Sequence, residues 1–346
     1  MSEDQRRARI AFVGCGSHAT RSLYPCIPAI AEIDLVAVCD LKEDLAERTA
    51  RNFGARRWYA DVNELLEQER ELDGAILVGI PQMMKELAEL VLRRRRLPVF
   101  VEKPPAINAA EAEAFATTAA EAGAWGMVAF MKRFSSGYTI AKQVVEAPWF
   151  GPVSTLSVKY SNGDYPPIWG LESGGLSYLT GQAVHIFDLI QHFAGPVGEV
   201  YARYLERSRA NHGFAVTVAF RNGAVGTLNL NSFESWECFD EWLTVGGLRN
   251  YLTVDDMLYV NVYREEAWEH LPKGDLASNF SQAWRPAGSV SPDMRMLIGY
   301  RQELREFAHC LLEGRRPGPD LEAGVAAMRV GEAIWRSAQL HRPVEL

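Results

Sequence analysis

Gly14-Cys15-Gly16-Ser17-His18-Ala19 lies between a short apolar run, Arg9 to Val13, and an apolar stretch from Leu23 through Ile30. This order predicts a strand, a glycine turn and a helix. The turn fits the pattern G-x-G-x-x-G/A. In that pattern the first glycine allows a tight turn, the second lets the backbone approach a pyrophosphate, and a small third residue permits close packing of helix against strand. A helix amino terminus at this point presents N–H groups to phosphates, so the stretch predicts a dinucleotide site.

The next predicted strand strengthens this interpretation. It runs from Leu35 to Cys39 and ends in Asp40, close to the spacing of about twenty residues expected for an acid that binds the adenosine ribose. A carboxylate there accepts a hydrogen bond from a free 2′-hydroxyl and repels a 2′-phosphate, which predicts NAD rather than NADP. Lys42 would soften that repulsion, so NADP stays open as the alternative.

Strands and helices continue to alternate through the first third of the chain. Predicted helices are Glu43 to Phe53, Asp61 to Leu66 and Met83 to Arg95, and predicted strands are Arg57 to Tyr59, Gly74 to Val78 and Pro98 to Val101. Such alternation predicts a doubly wound parallel sheet of Rossmann type, in which ligands bind beyond the carboxyl ends of the strands. The predicted cofactor-binding residues are therefore Gly14, Cys15, Gly16, Ser17, His18, Ala19, Asp40, Leu41, Lys42, Gly79, Ile80, Pro81, Glu102 and Lys103.

Composition excludes several classes of protein. The 346 residues suggest about two domains, and 36 Lys+Arg against 44 Asp+Glu leave a net charge of −8, which argues against nucleic-acid binding. The five cysteines form no C-x-x-C pair, so we expect neither disulfides nor a cysteine zinc site. A polar amino terminus and the absence of a long apolar segment predict a cytoplasmic protein without a membrane partner.

The chain resembles the Gfo/Idh/MocA family of nicotinamide-dependent oxidoreductases. The motifs that carry the resemblance are Gly14-x-Gly16-x-x-Ala19, the strand ending at Asp40, Val101-Glu102-Lys103-Pro104, Phe130-Met131-Lys132-Arg133-Phe134, His185-Ile186-Phe187-Asp188, Glu303-Leu304 and Glu332-Ala333-Ile334. The resemblance implies a Rossmann domain over residues 1–130. It also implies a substrate-binding α+β domain over residues 131–346, with a large, open, mostly antiparallel sheet that forms a homodimer or homotetramer, and with carboxyl-terminal helices packing near the first domain.

The sequence after Phe130 agrees with this outline. The β-rich runs are Val153 to Tyr160, Val200 to Tyr204, Ala215 to Phe220, Val225 to Ser232, Glu241 to Val245 and Leu258 to Tyr263. Asn222-Gly223 between two of them is a strong hairpin signal. Two long helices are predicted at the end of the chain, Met294 to Leu312 and Leu321 to Gln339.

The resemblance also implies chemistry: oxidation of a secondary alcohol on a sugar, cyclitol or related polyol. Lys103 would donate to the substrate hydroxyl, and His185 would act as general base in oxidation. The family pattern D-x-G-x-H has Asp four residues before the histidine, where this chain has Gly181. Gln182, Thr180 or Tyr178 would then take part of that role, and Tyr178 is a candidate because a phenol can pass a proton.

Further substrate-binding candidates, besides Lys103 and His185, are Arg133, Asn162, Trp169 and Gln182. Aromatic residues concentrate in the second half and could stack on sugar rings, although filling the sheet core or an oligomer interface would explain many of them: Tyr160, Tyr165, Trp169, Trp236, Trp242 and Trp284. His185 itself could be a buried structural group. His185, Asp188 and His192 share one helical face, but no second cluster completes a metal site, so no metal is predicted. Two alternative functions are a non-catalytic NAD(P)-binding sensor or regulator, and a sugar–sugar oxidoreductase with a non-dissociating cofactor.

Overall fold

The computed structural model describes residues 6–237, 240–265, 281–286 and 294–346. The predicted free thiol Cys238 lies outside these residues, and the other four cysteines are buried free thiols. The chain divides into two compact units, which are described separately. One comprises Met1–Met131 with Met294–Met328, and the other comprises Lys132–Asp293 with Arg329–Leu346.

Residues 8–128 alternate between strands and helices as predicted. In chain order the elements are β1 (Ala8–Val13), β2 (Ile33–Cys39), α1 (Glu43–Phe53), β3 (Arg57–Tyr59), α2 (Val62–Gln68), β4 (Gly74–Leu77), α3 (Pro81–Arg95), β5 (Val99–Val101), α4 (Ala109–Glu121) and β6 (Gly126–Val128). The strands form a six-stranded sheet in the order β3-β2-β1-β4-β5-β6, and every pairing is parallel. This is the order of two βαβαβ halves that diverge between β1 and β4, which confirms the Rossmann prediction.

The segment after the glycine turn differs from the predicted α-helix. It forms a π-helical turn over Ala19–Leu23 and then a 3₁₀-helix over Tyr24–Ala29. Pro25 and Pro28 explain the difference, because each proline lacks the N–H that an α-helix needs and its ring crowds the preceding turn.

The second half of the chain builds one large sheet. Its elements are α5 (Ser136–Glu146), β7 (Thr155–Ser161), α6 (Gly174–Tyr178), α7 (Val184–Ala194), β8 (Val197–Ser208), β9 (Asn211–Phe220), β10 (Val225–Asn231), β11 (Asp240–Gly246), β12 (Asn250–Asp255), β13 (Tyr259–Arg264), β14 (Ser281–Trp284), α8 (Met294–Leu297), α9 (Tyr300–Glu313), α10 (Leu321–Leu340) and β15 (Val344–Glu345). The sheet order is β14-β13-β12-β11-β7-β10-β9-β8-β15. Only β7 and β10 pair in parallel among these strands, so the predicted mostly antiparallel sheet is confirmed. The predicted hairpin at Asn222-Gly223 joins β9 to β10.

The helical run that carries His185 begins at Gly174. Ser173 caps its amino terminus, since its hydroxyl oxygen accepts from the Gly175 amide at 3.1 Å. The helical run then passes from α6 through a π-helical turn, Leu179–Ala183, into α7. Single π-turns of this kind are frequent at functional sites.

The predicted continuous helix from Met294 to Leu312 is broken. It consists of α8 and α9, separated at Gly299, whose φ of +108° is a conformation that glycine adopts readily and other residues rarely do. Within the described residues, no helix is long and apolar enough to cross a membrane.

Candidate active site

The glycine turn after β1 has two glycines with different constraints. At Gly14, with φ of +105°, a Cβ atom would lie 1.9 Å from the carbonyl oxygen of Val78, so only glycine fits. At Gly16 no atom lies within 4 Å of the corresponding point. The backbone is therefore closely packed at the first glycine and open at the second. This is the arrangement that a dinucleotide pyrophosphate requires.

Asp40 is held at the carboxyl end of β2 by two backbone amides. Its Oδ2 accepts from the amide of Cys15 at 2.8 Å, and its Oδ1 accepts from the amide of Lys42 at 3.0 Å. The carboxylate thus connects the glycine turn to the next strand, and each oxygen retains acceptor capacity for a ribose hydroxyl. The acceptor capacity that remains on Asp40 fits the adenosine ribose of NAD at this position.

The other predicted cofactor residues follow the neighbouring strands β4 and β5. Gly79 and Ile80 are exposed, Pro81 begins α3, Glu102 is buried and Lys103 is half-buried. Because β2, β1, β4 and β5 are consecutive and parallel, their carboxyl ends lie along one edge of the six-stranded sheet. The structure therefore gathers the predicted cofactor residues along one edge.

Acidic and aromatic side chains from α9 accompany Glu102. The Nε2 atom of His18 lies 3.4 Å from Oε2 of Glu102, and the rings of His18 and Tyr300 meet edge to face at 5.9 Å. Glu303, one turn along α9, is fully buried, and neither carboxylate oxygen has a hydrogen-bond partner among the described residues. Burial raises the pKa of Glu303 well above its usual range, the charge of Glu102 raises it further, and Lys103 partly opposes both. The burial of Glu303 and the charge of Glu102 therefore both favour its neutral form.

In the second unit, His185 lies on α7 and is 6% exposed. Its helix neighbours Val184, Phe187 and Leu189 are fully buried, as expected for core positions. Asp188 is also buried and forms an ion pair with Arg133. The guanidinium that the sequence assigns to substrate binding is thus also a structural partner of α7.

Tyr178 and Gln182 meet at Tyr160 on β7. The fully buried hydroxyl of Tyr178 donates to the carbonyl oxygen of Tyr160 at 3.0 Å, and burial raises the pKa of Tyr178 well above its usual range. The hydroxyl of Tyr160 donates to Oε1 of Gln182 at 3.1 Å. The sequence predicts that Tyr178 is a candidate for proton transfer. In the structure its hydroxyl proton is already donated to a backbone carbonyl oxygen.

Of the remaining candidates, Asn162 carries a buried side-chain oxygen without a hydrogen-bond partner in the described part of the chain. Trp169 is half-buried and has φ of +56°, which is uncommon for a bulky residue. Among the described residues no group of three His, Cys, Asp or Glu side chains is arranged to hold a metal ion. His192 is unsuited to protonation, since burial, Arg133 and Lys142 lower its pKa to about 3.

A buried polar cluster in the second unit was not anticipated from the sequence. Lys132, from the motif adjoining Arg133, forms an ion pair with Glu241 on β11, and the hydroxyl of Tyr138 donates to the same carboxylate at 2.5 Å. Lys132 and Glu241 are 109 residues apart. The pair joins two segments that are distant along the chain, so no local pattern could have identified it.

Comparison with known proteins identifies the family. The family description "Oxidoreductase family, NAD-binding Rossmann fold" matches residues 8–130, and the "C-terminal alpha/beta domain" of the same family matches residues 150–346. The chain belongs to the Gfo/Idh/MocA oxidoreductase family. The first match agrees with the fit of the glycine turn and Asp40 to NAD, so this member of the family binds NAD through its Rossmann unit.

Similar family members cover nearly the whole chain. Myo-inositol 2-dehydrogenase of Thermotoga maritima is 23% identical, and the alignment covers 98% of each chain. scyllo-Inositol 2-dehydrogenase (NAD(+)) of Bacillus subtilis is 24% identical over 99% of this chain and 97% of the relative. The crystal structure of a dehydrogenase from Chromobacterium violaceum superposes with a TM-score of 0.88 at 24% identity, covering 97% of this chain and 96% of that one.

Proposed function

We propose that this oxidoreductase transfers a hydride between NAD and a secondary alcohol or ketone of a cyclitol, sugar or related polyol. The observation that carries the proposal is Lys103, which lies two residues after the end of β5, on the sheet edge that also holds the glycine turn and Asp40. The similarity to two inositol dehydrogenases along nearly the full chain supports the substrate class.

Oxidation of an alcohol divides into two transfers. The carbinol hydrogen leaves as hydride, which NAD accepts when bound, and the hydroxyl proton needs a base within the protein. Lys103 donates to the oxygen as it gains alkoxide character, which stabilises the developing charge. His185 accepts the hydroxyl proton, and an imidazole is the side chain best suited to proton exchange near neutral pH. The product is the ketone, and reduction reverses each step.

The remaining side chains that bind the substrate are proposed to come from the second unit. Asn162 supports this assignment because its buried side-chain oxygen is available as an acceptor. Gln182 and Trp169 are the neighbouring candidates, one offering an amide and the other a ring face for the apolar C–H side of a pyranose or cyclitol. Arg133 would contact substrate only with the N–H groups that Asp188 does not use.

A non-catalytic NAD-binding sensor is the second candidate function. Gly181 favours it, since the carboxylate expected from the family pattern four residues before His185 is absent. A sensor would bind NAD as a dehydrogenase does but would oxidise none of the polyols. The two candidates are therefore separated by turnover and not by cofactor binding.

The test is a panel of cyclitols, sugars and sugar phosphates, each incubated with NAD and with NADP while nicotinamide absorbance is followed near neutral pH. We expect reduction of NAD with at least one polyol and a clear preference over NADP. Tight NAD binding, measured by calorimetry, without turnover of any polyol would overturn the dehydrogenase and support the sensor.

We further propose that the nine-stranded sheet forms a homodimer or homotetramer. Four partly exposed aromatic side chains share one face of its β11–β13 region: Trp242, Tyr251, Tyr259 and Tyr263. Tyr251 and Tyr263 stack with centroids 4.5 Å apart. Exposed apolar surface that is concentrated on one face marks interaction sites. Analytical ultracentrifugation of Tyr251→Lys should show dissociation to monomer, and an unchanged sedimentation coefficient would contradict the assignment.

A further inference from the structure

The space above Gly181 is filled by two aromatic side chains. A Cβ atom added to Gly181 would lie 2.2 Å from the hydroxyl oxygen of Tyr165 and 3.0 Å from Cη2 and Cζ3 of Trp169. A contact of 2.2 Å is far inside van der Waals range, so no side chain fits at position 181 unless Tyr165 moves. The absence of a carboxylate at this position is therefore coupled to the presence of Tyr165.

Tyr165 is fixed in this position by its own contacts. Its amide donates to the carbonyl oxygen of Ala210 at 2.7 Å, and its ring packs edge to face on Tyr178 with centroids 5.9 Å apart. Trp236 covers the other side, with its ring centroid 6.2 Å away. Tyr165 is only 8% exposed, so the hydroxyl oxygen is held over Gly181.

Trp169 has a strained backbone at the point where its ring approaches Gly181. Its φ of +56° is a left-handed conformation, which costs a bulky residue of order 1–3 kcal/mol and is retained where the surrounding structure or function demands it. In this conformation the ring lies against the α-carbon of Gly181. A larger residue at 181 would displace Trp169 as well as Tyr165.

The helix geometry directs this hydroxyl towards the face of His185. Residues four apart on a helix share a face, with Cβ atoms about 5–6 Å apart. Positions 181 and 185 have that spacing, and the helical run continues from Leu179 through Ala194 without a break. The hydroxyl oxygen of Tyr165 lies 2.2 Å from the point at which a side chain at 181 would begin. It therefore lies where a carboxylate at 181 would approach the histidine.

The chemistry of the phenol differs from that of a carboxylate. Burial raises the pKa of Tyr165 above its usual range, and a hydrogen bond with Gln182 only partly opposes that effect. The hydroxyl is therefore neutral across the physiological range and can donate as well as accept a hydrogen bond. An adjacent carboxylate would stabilise an imidazolium and raise the pKa of the histidine, whereas a neutral phenol does not.

We propose that Tyr165 is a positioning residue that replaces, in space and in hydrogen bonding, the carboxylate absent at Gly181. It supplies a neutral hydroxyl beside the proposed base His185 and, with Trp169, an aromatic wall for the apolar face of a polyol ring. The proposal rests on the proposed dehydrogenase function. Its consequence is that proton transfer by His185 operates without a carboxylate at position 181, while the carboxylate of Asp188 on the same helix is paired with Arg133.

The spatial part is tested by a melting cycle that needs no turnover. Gly181→Ala alone should lower Tm by several degrees, because the new Cβ meets Tyr165. In the Tyr165→Ala background the same change should cost much less, because only the Trp169 ring, at 3.0 Å, then remains close to the new Cβ. Equal losses of Tm in the two backgrounds would overturn the proposal, whatever the enzyme proves to oxidise.

The functional part is tested with the polyol that the wild type oxidises fastest. Tyr165→Phe retains the ring, so Tm should change little, while kcat falls by about three- to tenfold with the loss of one hydrogen bond. Tyr165→Ala with Gly181→Asp should raise the apparent pKa of the acidic limb of kcat/KM by about one pH unit. Unchanged kcat in the first variant, or an unshifted limb in the second, would overturn the role. A wild type that oxidises no polyol refutes the dehydrogenase function and this functional role together, whereas the melting cycle still decides the spatial part.

Discussion

Arg133 and Asp188 form a two-bond ion pair within the second unit. The Nε atom of Arg133 donates to Oδ2 of Asp188 at 2.7 Å, and Nη2 donates to Oδ1 at 2.5 Å. Asp188 is almost fully buried and lies on α7, three residues after His185. The ion pair fixes α7 to the segment that precedes α5, so the position of the proposed base depends on Arg133.

Replacing Asp188 with Ala should therefore destabilise the fold strongly. The guanidinium of Arg133 would remain largely buried without a counter-ion, which costs about 3–5 kcal/mol in comparable cases. The measurement is the free energy of unfolding in urea. Glu47→Ala is a matched control because it breaks the exposed Arg51–Glu47 pair on α1, where a loss of no more than about 0.5 kcal/mol is expected. Equal losses in the two variants would contradict a structural role for Asp188.

Elements with strong local signals were predictable from the sequence. Helix α1 has the predicted bounds, because Glu43 and Asp44 suit its first turn and Gly54 ends it in a left-handed conformation. Strand β12 was not predicted, since its six residues are defined by pairing with β11 and β13. Register with distant strands, and not local composition, determines such an element.

In the candidate site, too, some residues could be predicted from the sequence and others could not. The residues that follow parallel strands were predictable, because a sheet of this topology brings their carboxyl ends to one edge. Tyr165 was recognised only as one of several aromatic residues, and nothing in the sequence places its hydroxyl over Gly181. The distance between that hydroxyl and position 181 depends on the path of residues 162–172. That segment has no sequence periodicity from which its path could be predicted.

Asp40→Ala should weaken NAD binding and narrow the preference over NADP. The loss of a charged acceptor is expected to raise the Kd for NAD by about 10- to 100-fold, while NADP is relieved of the repulsion of its 2′-phosphate. Calorimetric titration with both cofactors measures the ratio. Asp40→Asn is the control for turn geometry, because one oxygen remains for the amide of Cys15. An unchanged ratio in both variants would remove Asp40 from the ribose site.

Lys103→Met should separate catalysis from cofactor binding. Removing a donor to the developing alkoxide lowers kcat by about 10²–10³-fold, whereas the Kd for NAD should stay within about twofold. Steady-state kinetics and calorimetry give the two quantities. Lys85→Met, at another half-buried lysine on α3, should leave kcat unchanged. Full activity in Lys103→Met would remove the proposed donor.

His185→Gln should reduce kcat by about 10²–10⁴-fold and remove the acidic limb from the pH profile, because glutamine cannot exchange a proton at neutral pH. Its amide retains hydrogen-bonding capacity, so Tm should fall only slightly. A rate close to that of the wild type combined with a large loss of Tm would instead assign His185 a structural role.

Glu303→Gln should stabilise the protein increasingly as pH rises. Below the ordinary glutamate pKa of 4.5 the carboxyl is protonated in both folded and unfolded chains. Above it the unfolded chain releases a proton that the buried carboxyl retains. The wild type therefore loses up to about 1.4 kcal/mol per pH unit until the pH reaches the raised pKa of folded Glu303, and glutamine carries no such loss.

The measurement is urea unfolding of both proteins between pH 5 and pH 8, where we expect the advantage of Glu303→Gln to widen with pH. Glu306→Gln, on the same helix, is the control of opposite sign. Arg315 lowers the pKa of Glu306 by hydrogen bonding, so its ionised form stabilises the fold fully above the ordinary glutamate pKa of 4.5. Glu306→Gln should therefore be less stable than the wild type by nearly the same amount at pH 5 and at pH 8. Parallel stability curves for Glu303→Gln and the wild type would show that Glu303 ionises in the folded protein, with Lys103 as the cation that outweighs burial and the charge of Glu102.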